Sequence, residues 1–193
     1  CIFHRFLWKT NRCVGQRVNF HGPRILALAR SPSSYLVTIM SAERRIEELE
    51  LLLPTPPKAA GLYQPLLIEG GLAYFSGHLP IRMDGSLIIG KIGSELTVEE
   101  GSAAARQTGL NVLATVRAVL GSLDRVDRVV KILGMVNAAS GFTQHPQVIN
   151  GCSELFREVW GTDHGVGARS AYGVSDLPAG VAVEIEGVFK VKN

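Results

Sequence analysis

Cysteine is scarce in this chain. Its 193 residues include only Cys1, Cys13 and Cys152, an odd number without the spacing of a zinc site or a disulfide framework. So few cysteines, without a disulfide framework, are typical of a protein in a reducing compartment. The apolar pattern around Cys152 has helical spacing, so we interpret this residue as a small buried side chain and not as a nucleophile.

Long apolar runs are also missing, and so are acidic residues near the start. No apolar stretch approaches 18 residues, which predicts a soluble protein without a membrane span. Residues 1–39 hold six basic residues and no acidic one, whereas residues 40–193 hold 14 basic and 17 acidic residues, a formal charge of −3. The main part of the chain therefore lacks the concentrated basic face of a nucleic-acid-binding domain, and no nucleic-acid partner is expected.

Residues 1–39 are interpreted as an appended leader and residues 40–193 as a single domain. The leader shows no sustained period, and its arginine-rich, serine-containing composition without acidic residues resembles an organellar transit peptide. A translated upstream region or a cloning remnant would have the same composition. The expected location is cytoplasmic, with organellar import as the alternative if the leader is genuine.

Hydrophobic periodicity within the domain predicts an α+β fold. Ser41 begins a helix that PTPPKA ends, and the apolar runs of PLLIEGGLAYFSGHLP and SLIIG predict strands joined by glycine turns. Thr97 and Glu100 form a capping box before a long helix. RVVKILGMVNA follows as a strand, VINGCSELFREVW as a second long helix, and residues 168–174 and 181–190 as two closing strands. This order favours a two-layer sandwich with both long helices on one face of the sheet.

Arg169 and Glu184 mark the two closing strands. The LPAG turn between these strands predicts that they pair as neighbours, which would bring the two side chains opposite or diagonal to each other. An exposed ion pair of this kind is worth less than about 1 kcal/mol. Two glycine-bearing segments favour a ligand site instead: GVGA directly before Arg169, and Ser76-Gly77-His78 at the end of an apolar strand.

Six segments together resemble the reactive intermediate deaminase superfamily, also called Rid, YjgF or L-PSP: GLYQP, FSGHLP, the long helix, VVKILGMVNA, the Asn-x5-Phe spacing of VINGCSELF, and above all ARS…LPAG…VEIE. The resemblance covers about residues 55–192. It implies a chorismate-mutase-like α+β fold with a mixed sheet covered by two long helices. It further implies homotrimers with ligand sites in clefts between subunits.

Site residues follow from the resemblance position by position. Arg169 matches the arginine that holds a substrate carboxylate, and Glu184 matches the glutamate associated with the reacting water. A planar guanidinium suits the first role because it pairs bidentately with a carboxylate. The positions implied to bind substrate are Tyr63, Ser76, Gly77, His78 and Ala171, with Asn150 supporting them from a helix. No metal or cofactor is implied.

Three positions depart from the family pattern. Ala171 stands where many deaminase-active members have cysteine, His78 replaces a glutamine, and Gly167 replaces a proline. These changes indicate a divergent subgroup and leave Arg169 and Glu184 in place.

The activity that the resemblance implies is hydrolysis of reactive enamines or imines, of the 2-aminoacrylate or 2-iminopropanoate type, to 2-keto acids and ammonia.

Two alternatives to this activity stay open. The first is a trimer that binds a small carboxylate or keto acid without turnover, which Ala171 and His78 slightly favour. The second is the endoribonuclease activity of the family's older name, against which the net charge of residues 40–193 and the lack of an aromatic and basic platform both argue.

Overall fold

The computed structural model describes residues 41–192, and the predicted leader lies outside the described residues. Helix α1, Ala42–Glu48, begins where the sequence predicts. The Ser41 hydroxyl accepts a hydrogen bond from the Arg44 amide, and the Asp124 carboxylate accepts one from the Ala42 amide at 2.6 Å. Asp124 therefore joins this short helix to the rest of the domain.

A hairpin follows, with strand β1 at Leu66–Glu69 and strand β2 at Leu72–His78. Gly70 and Gly71 connect the strands with φ values of 58° and 77°, a left-handed turn that glycine adopts at little cost. The prediction of a strand at SLIIG is wrong, because this segment forms only isolated bridges. Gly85 and Gly90 turn the chain on either side and leave too few extended residues for a ladder.

The rest of the domain contains two long helices and three strands. These are α2 (Val98–Leu120), β3 (Val126–Asn137), α3 (His145–Gly165), β4 (Ala168–Val174) and β5 (Val183–Val191). The predicted capping box is confirmed: Thr97 accepts a hydrogen bond from the Glu100 amide, and Glu100 accepts one from the Thr97 amide.

The five strands form one mixed sheet in the order β1-β2-β5-β3-β4. Strand β4 pairs with β3 in parallel, and the other neighbours are antiparallel. The prediction that the two closing strands pair with each other is wrong, because β3 lies between them. The β3–α3–β4 crossover returns β4 alongside β3, and β5 then pairs along the other edge of β3.

Helices α2 and α3 cover one face of the sheet, as predicted for a two-layer α+β sandwich. Alternate residues of β3 and β5, such as Ile132, Ile185 and Phe189, are buried on this face. The helices approach each other closely at Gly151, where an added Cβ would collide with the Ser102 carbonyl of α2. Cys152 beside it is fully buried, and burial raises the pKa of its thiol to about 12, as expected for an unreactive core residue.

The opposite face, which we call the open face, carries no helix among the described residues. Three cross-strand rows run over it, and the register defines their members: Leu67, Tyr74, Val188 and Lys131; then Glu186, Leu133 and Ser170; then Glu184, Met135 and Tyr172. Leu67 and Tyr74 are 48% and 43% exposed. Within residues 41–192, no helix is long and apolar enough to cross a membrane.

Candidate functional site

Glu184 lies on the open face, directly beside Gly77 of the neighbouring strand β2. The register of the β2–β5 ladder shifts between Phe75 and His78. Within this irregular stretch Gly77 has no Cβ, and the Glu184 carboxylate occupies the space that a Cβ would need. The structure thus brings together two residues that the family resemblance assigns to one site.

The environment of Glu184 favours its protonated form. Burial raises the pKa of this half-buried carboxyl above its ordinary value, and the negative charge of Glu186 raises it further. Among the described residues no cation lies within ion-pair distance of Glu184. A carboxyl group in this position is suited to exchange a proton with water.

A hollow of about 520 Å³ lies on the same face, and its lining includes Glu186 but not Glu184. We call it the open-face hollow. Its lining includes the polar residues Ser76, Lys131 and Glu186 and the apolar residues Leu133, Val188 and Tyr74. The Ser76 hydroxyl donates a hydrogen bond to the Gln64 carbonyl at 2.7 Å. Of these residues, the sequence predicted only Ser76 as a site residue. A charged residue inside the apolar run VVKILG is a signal that could have pointed to Lys131.

Arg169 lies on the other face of the sheet. One terminal nitrogen of its guanidinium donates to Asn150 Oδ1 at 2.8 Å and to Ser153 Oγ at 3.0 Å, both on α3. Asn150 therefore contacts Arg169, and Ser153 is a second acceptor that the sequence did not indicate. Both acceptors are neutral, and no carboxylate among the described residues forms an ion pair with Arg169.

Arg169 and Glu184 are not cross-strand partners within one protomer. Arg169 is level with Ile132 on β3, whereas Glu184 is level with Met135. The two residues are therefore two strands and three positions apart, and their side chains leave opposite faces of the sheet. This separation corrects the predicted opposite or diagonal pairing.

The His78 side chain does not line the open face with Ser76 and Gly77. It is buried, with Nδ1 2.6 Å from the Ser76 carbonyl oxygen and Nε2 2.8 Å from Thr115 Oγ1 on α2. Desolvation lowers the pKa of the imidazole, partly offset by the Ser76 carbonyl. A neutral ring satisfies both contacts, since Nδ1 donates to the carbonyl and Nε2 accepts from the hydroxyl.

The other two predicted substrate-binding residues lie apart from Glu184. Tyr63 is in the loop before β1, 47% exposed, and its hydroxyl accepts a hydrogen bond from the Ala60 amide. Ala171 shares the helix-covered face of β4 with Arg169 and packs against the core. The structure thus divides the predicted residues into a Glu184–Gly77–Ser76 group on the open face and an Arg169–Ala171–Asn150 group at the edge strand.

Fold and site together define a small α+β domain with one helix-covered sheet face and acidic groups on the other. Residues 43–180 match the family described as "YjgF/chorismate mutase-like, putative endoribonuclease". The chain belongs to this family, as the resemblance of its motifs predicted.

Known relatives agree with this assignment. Protein TCP17 of Trypanosoma cruzi is 40% identical over 148 residues, which cover 77% of this chain and 92% of the relative. A crystal structure of a Shewanella oneidensis protein with the same endoribonuclease designation superimposes with a TM-score of 0.75 at 28% identity, over 79% of this chain and 100% of that one. A protein of unknown function from Agrobacterium tumefaciens gives a TM-score of 0.72 at 35% identity, over 79% and 94% of the two chains.

Proposed function

We propose that this protein hydrolyses reactive enamines and imines, of the 2-aminoacrylate or 2-iminopropanoate type, to 2-keto acids and ammonia. The observation that carries the proposal is the half-buried Glu184 carboxyl beside Gly77, whose pKa is raised by desolvation and by Glu186. Catalytic carboxyl groups are tuned toward neutrality in this way so that they both accept and return a proton.

The reaction needs little more than proton transfer and orientation. Water adds to the carbon of the C=N bond while Glu184 takes one of its protons. This proton passes to nitrogen and gives a carbinolamine. The hydroxyl proton of the carbinolamine then moves to nitrogen through the same carboxyl group, the C–N bond breaks, ammonia leaves and the C=O bond of the keto acid forms. An enamine substrate first takes a proton at its β-carbon and releases one from nitrogen to become the imine. General acid–base catalysis contributes about 10²- to 10⁴-fold to such steps.

Arg169 supplies the proposed anchor for the substrate carboxylate. Asn150 and Ser153 both accept from the same terminal nitrogen of its guanidinium, and no carboxylate among the described residues forms an ion pair with it. Because its two acceptors are neutral, the positive charge is left uncompensated locally. A bidentate pair with a small carboxylate would compensate this charge.

Since Arg169 and Glu184 leave opposite faces of one sheet, we infer that two subunits complete each site. Arg169 is on β4, at the edge of the sheet, where a neighbouring copy has access to it. The exposed apolar side chains of the open face, including Leu67 and Tyr74, give a second copy a surface to cover. A homotrimer with sites in its clefts meets both requirements.

Semicarbazide competition tests the proposal. An amino-acid oxidase generates the imine, and an active deaminase lowers the yield of semicarbazone. We expect the wild-type chain to do so, and Arg169→Ala and Glu184→Gln to reduce the effect at least tenfold. Arg157→Ala and Glu154→Gln, at exposed positions of α3, are the matched controls. A wild-type chain without effect on any of several imines would refute the deaminase proposal.

A binding protein without turnover is the second candidate. It is favoured by Ala171, whose methyl group packs against the core and brings no reactive group next to Arg169. In that case the wild-type chain would bind 2-keto acids in calorimetry, lose this binding in Arg169→Ala, and leave semicarbazone yield unchanged. Endoribonuclease activity, named for the relatives, requires RNA cleavage by purified protein that disappears in the same variant.

A further inference from the structure

Strand β2 contains a β-bulge next to Glu184. Between its pairs with Gly187 and Ile185, the chain advances three residues on β2 but two on β5. Such a bulge bends its strand and changes the direction of the side chains beside it. Here it brings Gly77 against the Glu184 carboxylate, which occupies the place of a Cβ. The position of the Glu184 carboxyl therefore depends on the shape of this bulge.

The backbone of the bulge is held by the His78 side chain. His78 Nδ1 lies 2.6 Å from the Ser76 carbonyl oxygen, two residues earlier in the chain. A carbonyl oxygen can only accept, so this contact needs the ring proton on Nδ1. The Phe75 ring packs edge-to-face with the imidazole, with 6.0 Å between the ring centroids. The imidazole thus links the residues on either side of Gly77.

Thr115 of α2 holds the other edge of the imidazole. Its Oγ1 lies 2.8 Å from His78 Nε2, and both residues are buried. With the proton on Nδ1, Nε2 is an acceptor and the Thr115 hydroxyl donates to it. Which ring nitrogen carries the proton is set by the hydrogen bond that the other nitrogen makes. The Thr115 hydroxyl therefore sets the tautomer that the contact with Ser76 requires.

We propose that Thr115 and His78 are positioning residues for Glu184. The Thr115 hydroxyl sets the tautomer of the imidazole, the imidazole holds the Ser76 carbonyl, and the bulge fixed in this way keeps Gly77 against the carboxyl. A helix on one face of the sheet thereby controls a carboxyl on the other face. The effect on imine hydrolysis rests on the proposed function, whereas the effect on the Glu184 carboxyl does not.

The pKa of Glu184, measured on the full chain by carboxyl-carbon NMR of labelled glutamate, tests the proposal. Thr115→Val keeps the shape of the side chain but removes the hydroxyl. The bulge should then relax, Glu184 should gain solvent, and its pKa should fall toward the ordinary value of 4.5. Thr115→Ser keeps the hydroxyl and should retain the wild-type pKa.

A second substitution tests whether the two residues act through one contact. His78→Leu removes both hydrogen bonds of the imidazole and should also lower the pKa of Glu184. Thr115→Val should add nothing to this effect in the His78→Leu background, because residues that act through a shared contact are not additive.

Thr108→Val is the matched control. Thr108 is also a buried threonine of α2, but its hydroxyl donates to the Ala104 carbonyl of the same helix. Removing it should leave the Glu184 pKa unchanged. This comparison distinguishes a loss of positioning from a general loss of stability, which thermal melting of both variants reports.

In imine hydrolysis, Thr115→Val should lower kcat about tenfold with little change in KM, because the proposed anchor Arg169 stays in place. An unchanged Glu184 pKa in Thr115→Val and His78→Leu would overturn the inference, and so would an equal change in Thr108→Val. An unchanged kcat of Thr115→Val, beside an active wild-type chain, would also overturn it. The pKa measurement needs no substrate, so it decides the inference even if the chain hydrolyses no imine.

Discussion

The Glu184 carboxylate occupies the space that a side chain at position 77 would need. Gly77 is not at a positive φ, so its importance comes from this close approach and not from backbone conformation. A glycine at a strand end and an acid over 100 residues later in the chain thus form one structural unit. In the proposed function, this unit holds the proton-transferring carboxyl in place.

Gly77→Ala should destabilise the fold and displace Glu184. Forcing a methyl group into an occupied space costs about 1–3 kcal/mol of unfolding free energy. Most of this cost should disappear in a Glu184→Ala background, because the colliding carboxylate is then gone. A double-mutant cycle measured by urea unfolding should therefore give a coupling free energy above about 1 kcal/mol.

Gly61→Ala is the matched control for Gly77→Ala, because a Cβ there meets only the Tyr63 ring at an ordinary 3.7 Å. It should change stability little and show no coupling to Glu184→Ala. If the costs of Gly77→Ala and Glu184→Ala are simply additive, the two residues do not share space in the folded protein.

Glu184 should make the stability of the protein depend on pH in a defined direction. Its pKa is raised in the folded state, so its contribution is fully present below the ordinary value of 4.5 and is lost as pH rises through the folded-state value. Compared with Glu184→Gln, the wild-type chain should therefore lose stability as pH rises from 4.5. Urea midpoints at several pH values measure this difference.

The causes of the Glu184 pKa shift can be separated by a second substitution. Glu186→Gln removes the neighbouring negative charge and should lower the Glu184 pKa, while the larger contribution of burial remains. Carboxyl-carbon NMR of labelled glutamate reports this pKa directly. A Glu184 pKa at or below 4.5 in the wild-type chain would contradict an upward shift caused by burial.

Mixed oligomers test whether two subunits build the proposed deaminase site. Arg169→Ala and Glu184→Gln should each be inactive alone. After they are unfolded and refolded together in equal amounts, about a quarter of the sites should combine an intact arginine with an intact glutamate from a neighbour. The measurement is semicarbazide competition at constant total protein. If both residues of each site come from one subunit, no mixture of these variants regains activity.

Alanine substitutions at two glycines in the contact between α2 and α3 should change stability by different amounts. At Gly151 an added methyl meets the Ser102 backbone carbonyl, whereas at Gly109 it meets the Leu155 and Cys152 side chains. Alanine favours helix by about 1 kcal/mol in both cases. We expect Gly151→Ala to be clearly destabilising and Gly109→Ala to cost less, because side chains rearrange more easily than backbone. Equal urea midpoints would contradict this contact geometry.

Local sequence signals predicted most elements because the interactions that specify them are local. The Thr97–Glu100 capping box, the Ser41 cap and the Gly70-Gly71 turn each involve residues within a few positions of one another. The false strand at SLIIG shows the limit of such local signals. Its apolar residues have the composition of a strand, but turns on either side leave too few extended residues to form a hydrogen-bonded ladder.

The candidate site was predictable only in part. The motif resemblance selected Gly77 and Glu184, which the structure places together, and Asn150, which it places against Arg169. Ser153, Lys131 and Glu186 were missed as site residues, because a single serine or a charge within an apolar strand has no distinctive pattern. The His78 side chain was assigned to the substrate, whereas the structure shows it bonded to Thr115 in the core.

The sequence by itself determined most of the secondary-structure elements and the α+β class, since periodicity, caps and turns depend on neighbouring residues. Its motifs resemble the family to which the chain belongs. Only the tertiary structure decided which strands lie side by side. It placed β3 between β4 and β5, and the register of the two ladders puts Arg169 and Glu184 on opposite faces. Strand order depends on long-range pairing and on the α3 crossover, and no local pattern in the chain encodes it.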